Sequence, residues 1–171
     1  MKKLALLILL MMIFQSSVFS RPVVFNDDGK FGLKDENGNI VVKAEYKKLI
    51  RLGESGWIIQ KGSKFGIMND EGKILVEPKY NRADRVLGKF AKLTKGEKNG
   101  LFDEKGFVIL PPEYSSIDLL FGGMFLTCKN YKYGVTDFNG QPILDNIFDD
   151  IYMPKPNVMI ITYLSLIHIS E

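Results

Sequence analysis

Cysteine, histidine and tryptophan are almost missing from this chain: its 171 residues hold one of each, Cys128, His168 and Trp57. A single cysteine excludes an internal disulfide framework, so the fold must hold without covalent staples. A single histidine removes the commonest routes to catalysis, because nucleophilic triads, most zinc sites and most general-base schemes near neutral pH rely on imidazole. Charge of one sign is equally scarce. The 23 Lys and Arg against 20 Asp and Glu leave a formal +3, which falls to +1 without Lys2 and Lys3. That balance argues against a nucleic-acid partner, since DNA-binding domains are far more basic. The one long apolar run, Leu4 to Phe14, has eleven residues, well short of the roughly 20 that a membrane-spanning helix needs.

The run is instead the centre of a secretory signal over residues 1–20, with Lys2 and Lys3 as its positive start and Val18-Phe19-Ser20 before the expected cleavage point. An uncleaved anchor is the alternative. Cleavage would leave a periplasmic or extracellular protein with no stable membrane insertion. At the other end, residues 164–171, which include His168, resemble translated adapter DNA and fit no pattern of the chain. The expectation is a non-native tail with natural sequence continuing past Tyr163, the alternative being a hydrophobic capping strand.

What the chain does have is regular glycine. Gly32, Gly66, Gly100 and Gly134 stand 34 residues apart, and a second set, Gly38, Gly72, Gly106 and Gly140, follows each by six. Between them lies an acid or its amide: Asp35, Asn69, Asp103, Asp137. After them come apolar triplets such as Ile40-Val41-Val42 and Ile74-Leu75-Val76, then a closing aromatic, Tyr46, Tyr80, Tyr114 or Phe148. A fixed period without insertions is the mark of a tandem array in which each unit covers its neighbour.

The period would suit a helical array as well, so residue chemistry decides. Lys64-Phe65-Gly66-Ile67-Met68-Asn69 and Lys73-Ile74-Leu75-Val76 are two short apolar runs around an Asx-x-x-Gly turn, which is hairpin chemistry. After the aromatic comes a loop of about ten residues and a third run, Trp57-Ile58-Ile59-Gln60 in the first unit. The prediction is an all-β, open array of four antiparallel three-stranded meanders, at 30–63, 64–97, 98–131 and 132–163. Residues 21–29 form a partial repeat or capping strand around Val23-Val24-Phe25. Propeller-like closure is the alternative.

These residues resemble the bacterial WG, or KWG, repeats, whose units combine a Lys-Trp-Gly opening, an Asp-x-x-Gly turn and a Pro-x-Tyr close. The resemblance runs from Lys30 to about Thr162 and is carried by Lys30-Phe31-Gly32, Lys64-Phe65-Gly66, Lys98-Asn99-Gly100 and Lys132-Tyr133-Gly134, with Pro78-Lys79-Tyr80 and Pro112-Glu113-Tyr114. The naming tryptophan is replaced throughout, and Asn99 keeps no aromatic in its place. The resemblance implies an all-β repeat protein, often exported, that recognises partners and carries no catalytic residues.

Candidate site residues follow the repeat. The acids recur at turns, whereas carboxylate catalysis needs one shielded pair with separated pKa values, so no catalytic residue is assigned. The turns lack the alternating ligand spacing of a calcium loop, so neither metal nor cofactor is expected. Cys128 shares a column with Gln60, Thr94 and Thr162 and reads as a tolerated small residue. The lysines make the one constellation of interest. Lys30, Lys64, Lys98 and Lys132 open the first strands while Lys61, Lys95 and Lys129 end the third, which places seven ammonium groups along one edge. Asp35, Asp103 and Asp137 with Glu36, Asp70 and Glu104 are expected at the opposite end. Such an edge suits an anionic polymer, or serves only to keep exposed strands from pairing with other chains. The functional expectation is an exported binding module for a protein or anionic envelope polymer, and the alternative is a structural spacer presenting a further domain.

Overall fold

The computed structural model describes residues 21–164, so the expected signal peptide and the tail beyond Leu164, His168 included, lie outside the described residues. Seventeen strands and no helix are found among them. The first sheet holds β1 (Val23–Asp27), β2 (Lys30–Lys34) and β3 (Ile40–Tyr46). The second holds β4 (Lys48–Leu52), β5 (Gly56–Lys61), β6 (Lys64–Asn69) and β7 (Ile74–Tyr80). The third holds β8 (Arg82–Val86), β9 (Phe90–Lys95), β10 (Lys98–Asp103) and β11 (Val108–Tyr114). The fourth holds β12 (Ser116–Leu120), β13 (Met124–Lys129), β14 (Lys132–Thr136) and β15 (Pro142–Phe148), and the last pairs β16 (Asp150–Lys155) with β17 (Val158–Thr162). All pairings are antiparallel between sequence neighbours.

The expected open array of meanders is what forms, with one correction. The ten residues after each closing aromatic are not loop: β4, β8, β12 and β16 lie there, so a complete sheet has four strands rather than three. Their sequences are less apolar than the core strands, Arg82-Ala83-Asp84-Arg85-Val86 having no apolar run at all, and they become strands because the next strand offers a ladder partner. Residues 21–29 supply β1, which pairs with β2 at the edge of the first sheet.

Consecutive sheets stack face to face, and each interior sheet is covered on both sides. Leu33, Val42 and Tyr46 of the first sheet meet Trp57, Ile59 and Met68 of the second. Ile58, Ile67, Val76 and Tyr80 of the second meet Ala91, Leu93 and Phe102 of the third. Phe90, Leu101 and Leu110 of the third meet Ile117 and Phe125 of the fourth. Alternate residues of one strand therefore enter different layers, which is why Trp57-Ile58-Ile59 is a continuous apolar run instead of an alternating one. Each large apolar side chain buried in this way contributes about 1.5–3 kcal/mol.

Both glycine columns have a tertiary cause. Opposite Gly66 the ladder slips: from Phe65↔Tyr80 to Ile67↔Val76, β6 advances two residues and β7 four. The extra residues of β7, Pro78 among them, fold over the glycine, and a Cβ at Gly66 would lie 2.3 Å from the Val76 carbonyl oxygen. A bulge is also one of the few places in a sheet where proline is tolerated. Gly106 has φ +80, and a Cβ there would lie 2.8 Å from Leu75 of the preceding sheet. The turn thus needs its glycine twice, for backbone conformation and for close stacking on the neighbouring unit.

Burial pushes the Tyr46 hydroxyl up to about 12, with the Glu45 carboxylate adding to the effect, and burial also raises Tyr80. An unfolded tyrosine ionises near about 10, so the folded chain holds protons that the unfolded chain releases. This contribution to stability is complete below about pH 10 and is lost as pH rises through about 12. Far-UV circular dichroism under denaturant should show the midpoint falling across that window; a flat midpoint would overturn the assignment.

Candidate functional site

The two ends of the strands differ in what they offer. At the Asx end the turns satisfy themselves. Asp35 Oδ1 accepts the backbone N–H groups of Asn37 at 2.9 Å and Asn39 at 2.8 Å, and Asp103 does the same for Lys105 and Phe107. Asn69 and Asp137 repeat the pattern. Hydrogen bonds led by the Asn39 side chain hold the Asp35 carboxyl below its usual range. These acids close turns, and their lone pairs are directed into the turn backbone.

Asp70 departs from the expected exposed acid row and is buried, with 5% of its surface accessible. Its Oδ1 accepts from Trp57 Nε1 at 2.7 Å, and the Arg51 guanidinium grips both carboxylate oxygens, the second at 3.2 Å. The guanidinium also lies over the Trp57 ring, 4.9 Å from its centroid. A buried acid needs such partners, and a bidentate arginine is the strongest of them. In the fourth sheet the corresponding positions are Leu119, Phe125 and Phe138, and Phe125 and Phe138 form an aromatic trio with Phe90. One location in the repeat thus takes either a polar cluster or an apolar one. Beside the trio, Glu54, Glu104, Lys89, Phe90 and Phe138 line an open cavity of about 470 Å³, where Lys89 already sits over both rings.

At the other end lie the seven lysines. Lys61 pairs with Lys64, Lys95 with Lys98 and Lys129 with Lys132 as the final rungs of the β5–β6, β9–β10 and β13–β14 hairpins, while Lys30 stands opposite Asp27. They are not electrostatically equivalent. Lys61 is bridged to Glu45 at 3.0 Å, Lys129 to Glu113 and Lys132 to Asp149. The hydrogen bond from Lys61 lowers the Glu45 carboxyl, that from Lys132 lowers Asp149, and Glu113 raises Lys129. Among the described residues, Lys30, Lys64, Lys95 and Lys98 make no ion pair.

Sequence reasoning missed two features at this end. The column that holds Glu45 of the first sheet and Glu113 of the third reads Lys79 in the second, and the charge reversal was visible once the units were aligned. Tyr131 is 93% exposed in a turn where both it and Asn130 have positive φ; nothing in the sequence marks it. Asn99, which breaks the aromatic column, is buried and satisfied, donating to the Ser115 carbonyl at 2.9 Å and accepting from Thr94 Oγ1 at 2.8 Å. Cys128 is buried in β13. Among the described residues no three His, Cys, Asp or Glu side chains gather as a metal would need, and no helix is long and apolar enough to cross a membrane.

Comparison with curated proteins found no match. Comparison with protein families found the WG containing repeat three times, at residues 31–60, 65–98 and 100–133, more than half of the chain. Each match begins at or beside an opening strand whose glycine lies under its neighbour's bulge, and each contains one Asx turn. With the same unit recurring in sequence, in strand register and in stacking contact, this chain belongs to the WG repeat family.

Proposed function

We propose that the chain is an exported, non-catalytic binding module that engages a protein or an anionic polymer of the cell envelope, in a periplasmic or extracellular setting, through its lysine-bearing end. The observation that carries the reading is the polarity of the array. Every hairpin mouth from the second to the fourth sheet presents a lysine pair at one end, while Asp35, Asp103 and Asp137 at the other end are turned into their own backbone. A row of cations on a rigid array attracts a polyanion by summed weak contacts that salt weakens. The spacer reading draws on the ion pairs of Lys61, Lys129 and Lys132, which are already neutralised.

Calorimetric titration of the processed chain with polygalacturonate, a polyuronate, and with neutral dextran separates the two. The polymer reading expects heat with the polyuronate alone, declining as sodium chloride rises. Absence of heat with the polyuronate at low salt would remove it and leave a spacer or a protein ligand.

A further inference from the structure

We propose that the corner where the second sheet brings Lys79 to Lys95 and Lys98 of the third, with Tyr131 of the fourth beside it, binds an acidic polysaccharide. The lysines would hold its carboxylates and the tyrosine ring would lie on a sugar face. The inference rests on reading the lysine end as the binding face and narrows it to one place in the array and one ligand class.

The repeats supply their own control. Between the first and second sheets the Glu45 carboxylate of β3 sits 3.0 Å from Lys61 of β5, and between the third and fourth Glu113 of β11 sits on Lys129 of β13. At the junction of the second and third sheets the residues 34 positions on are Lys79 of β7 and Lys95 of β9, so two lysines take the places of that ion pair, and Lys95 is itself the cross-strand neighbour of Lys98. All three lysines are exposed. Like charges placed together destabilise a sheet edge, and no fold requirement explains the reversal, since the same position is built with Glu45 and Glu113 in the first and third sheets and with Ile147 in the fourth. An anionic ligand would turn the repulsion into attraction.

The neighbouring depression, about 230 Å³, is lined by Glu97, Lys98, Ser115, Asn130 and Tyr131. Glu97 is the one acid there. Tyr131 holds φ +62 and Asn130 φ +53, a conformation uncommon for an aromatic residue, and the ring is 93% exposed. A strained, exposed ring beside unpaired cations provides an apolar surface with a polar hydroxyl tip. Single-stranded nucleic acid would call for successive rings on which bases stack, whereas this depression is lined by one.

The test compares four chains by calorimetry with polygalacturonate. Lys79→Glu copies the sister repeats, so its melting temperature should match the parent, while its affinity should fall at least about tenfold through loss of a charge-assisted contact. Tyr131→Asn, which suits positive φ, should weaken binding and leave its salt dependence unchanged. Glu113→Lys, which copies the Lys79 pattern to the junction of the third and fourth sheets, should tighten binding. If the parent binds with salt dependence but Lys79→Glu binds equally well, the lysine end stands and this corner is refuted. If the parent binds no polyuronate, this corner and the polymer reading of the lysine end fall together. Tighter, Lys79-dependent binding of a single-stranded oligonucleotide would overturn the assignment to polysaccharide.

Discussion

Replacing Tyr80 by alanine should cost about 3–5 kcal/mol of stability, the largest effect expected from a single apolar truncation in this chain. Tyr80 closes β7 with 4% of its surface accessible and packs edge-on against Phe102 of the next sheet, ring centroids 5.6 Å apart. It therefore joins two units instead of completing one. Truncation would open a void between sheets, with Ile58, Ile67, Ala91 and Leu93 around it in the same cluster. In a stacked array stability is a sum of unit and interface terms, so the loss should separate the second sheet from the third. Thermal unfolding is expected to broaden or split into two steps as its midpoint falls. An unshifted midpoint would show that this layer contributes little.

Asp70→Ala is expected to cost about 3 kcal/mol. The change leaves the Trp57 indole N–H without its 2.7 Å acceptor and the Arg51 guanidinium without its carboxylate. The figure sits at the lower end for breaking a buried pair because the Arg51 side chain is 25% exposed and can turn to water. The fourth sheet suggests the rescue. A triple variant, Arg51→Leu with Trp57→Phe and Asp70→Phe, reproduces the residues found at Leu119, Phe125 and Phe138 and should recover most of the loss, since well-packed apolar groups replace buried ion pairs at little net cost. Chemical denaturation of the three chains decides the matter. Equal stability of Asp70→Ala and the parent would show the cluster to be incidental.

Much of the architecture was legible because the repeat is local. Asp35, Asn69, Asp103 and Asp137 announce turns through bonds to residues two and four positions on. The lysine pairs were legible for the same reason, since a two-residue turn sets their register. The fourth strand of each sheet was not. Lys48-Leu49-Ile50-Arg51-Leu52 has some apolar content, but Arg82-Ala83-Asp84-Arg85-Val86 has little, and both become strands by pairing with the strand that follows. Asp70 was misplaced because the turn pattern describes its neighbour Asn69, and its own partner, Arg51, belongs to a different strand of the sheet.

From the amino-acid order came the family, the all-β class, the glycine and turn columns and the lysines at each hairpin mouth, all consequences of interactions within a few residues of chain. The stacked arrangement decided the rest: which carboxylates neutralise which lysines, that Lys79, Lys95 and Lys98 are left without one, and that Asp70 is interior. Ion pairing and burial depend on what the neighbouring strand and the neighbouring sheet bring alongside, and a column of residue types carries no record of that until the sheets are packed.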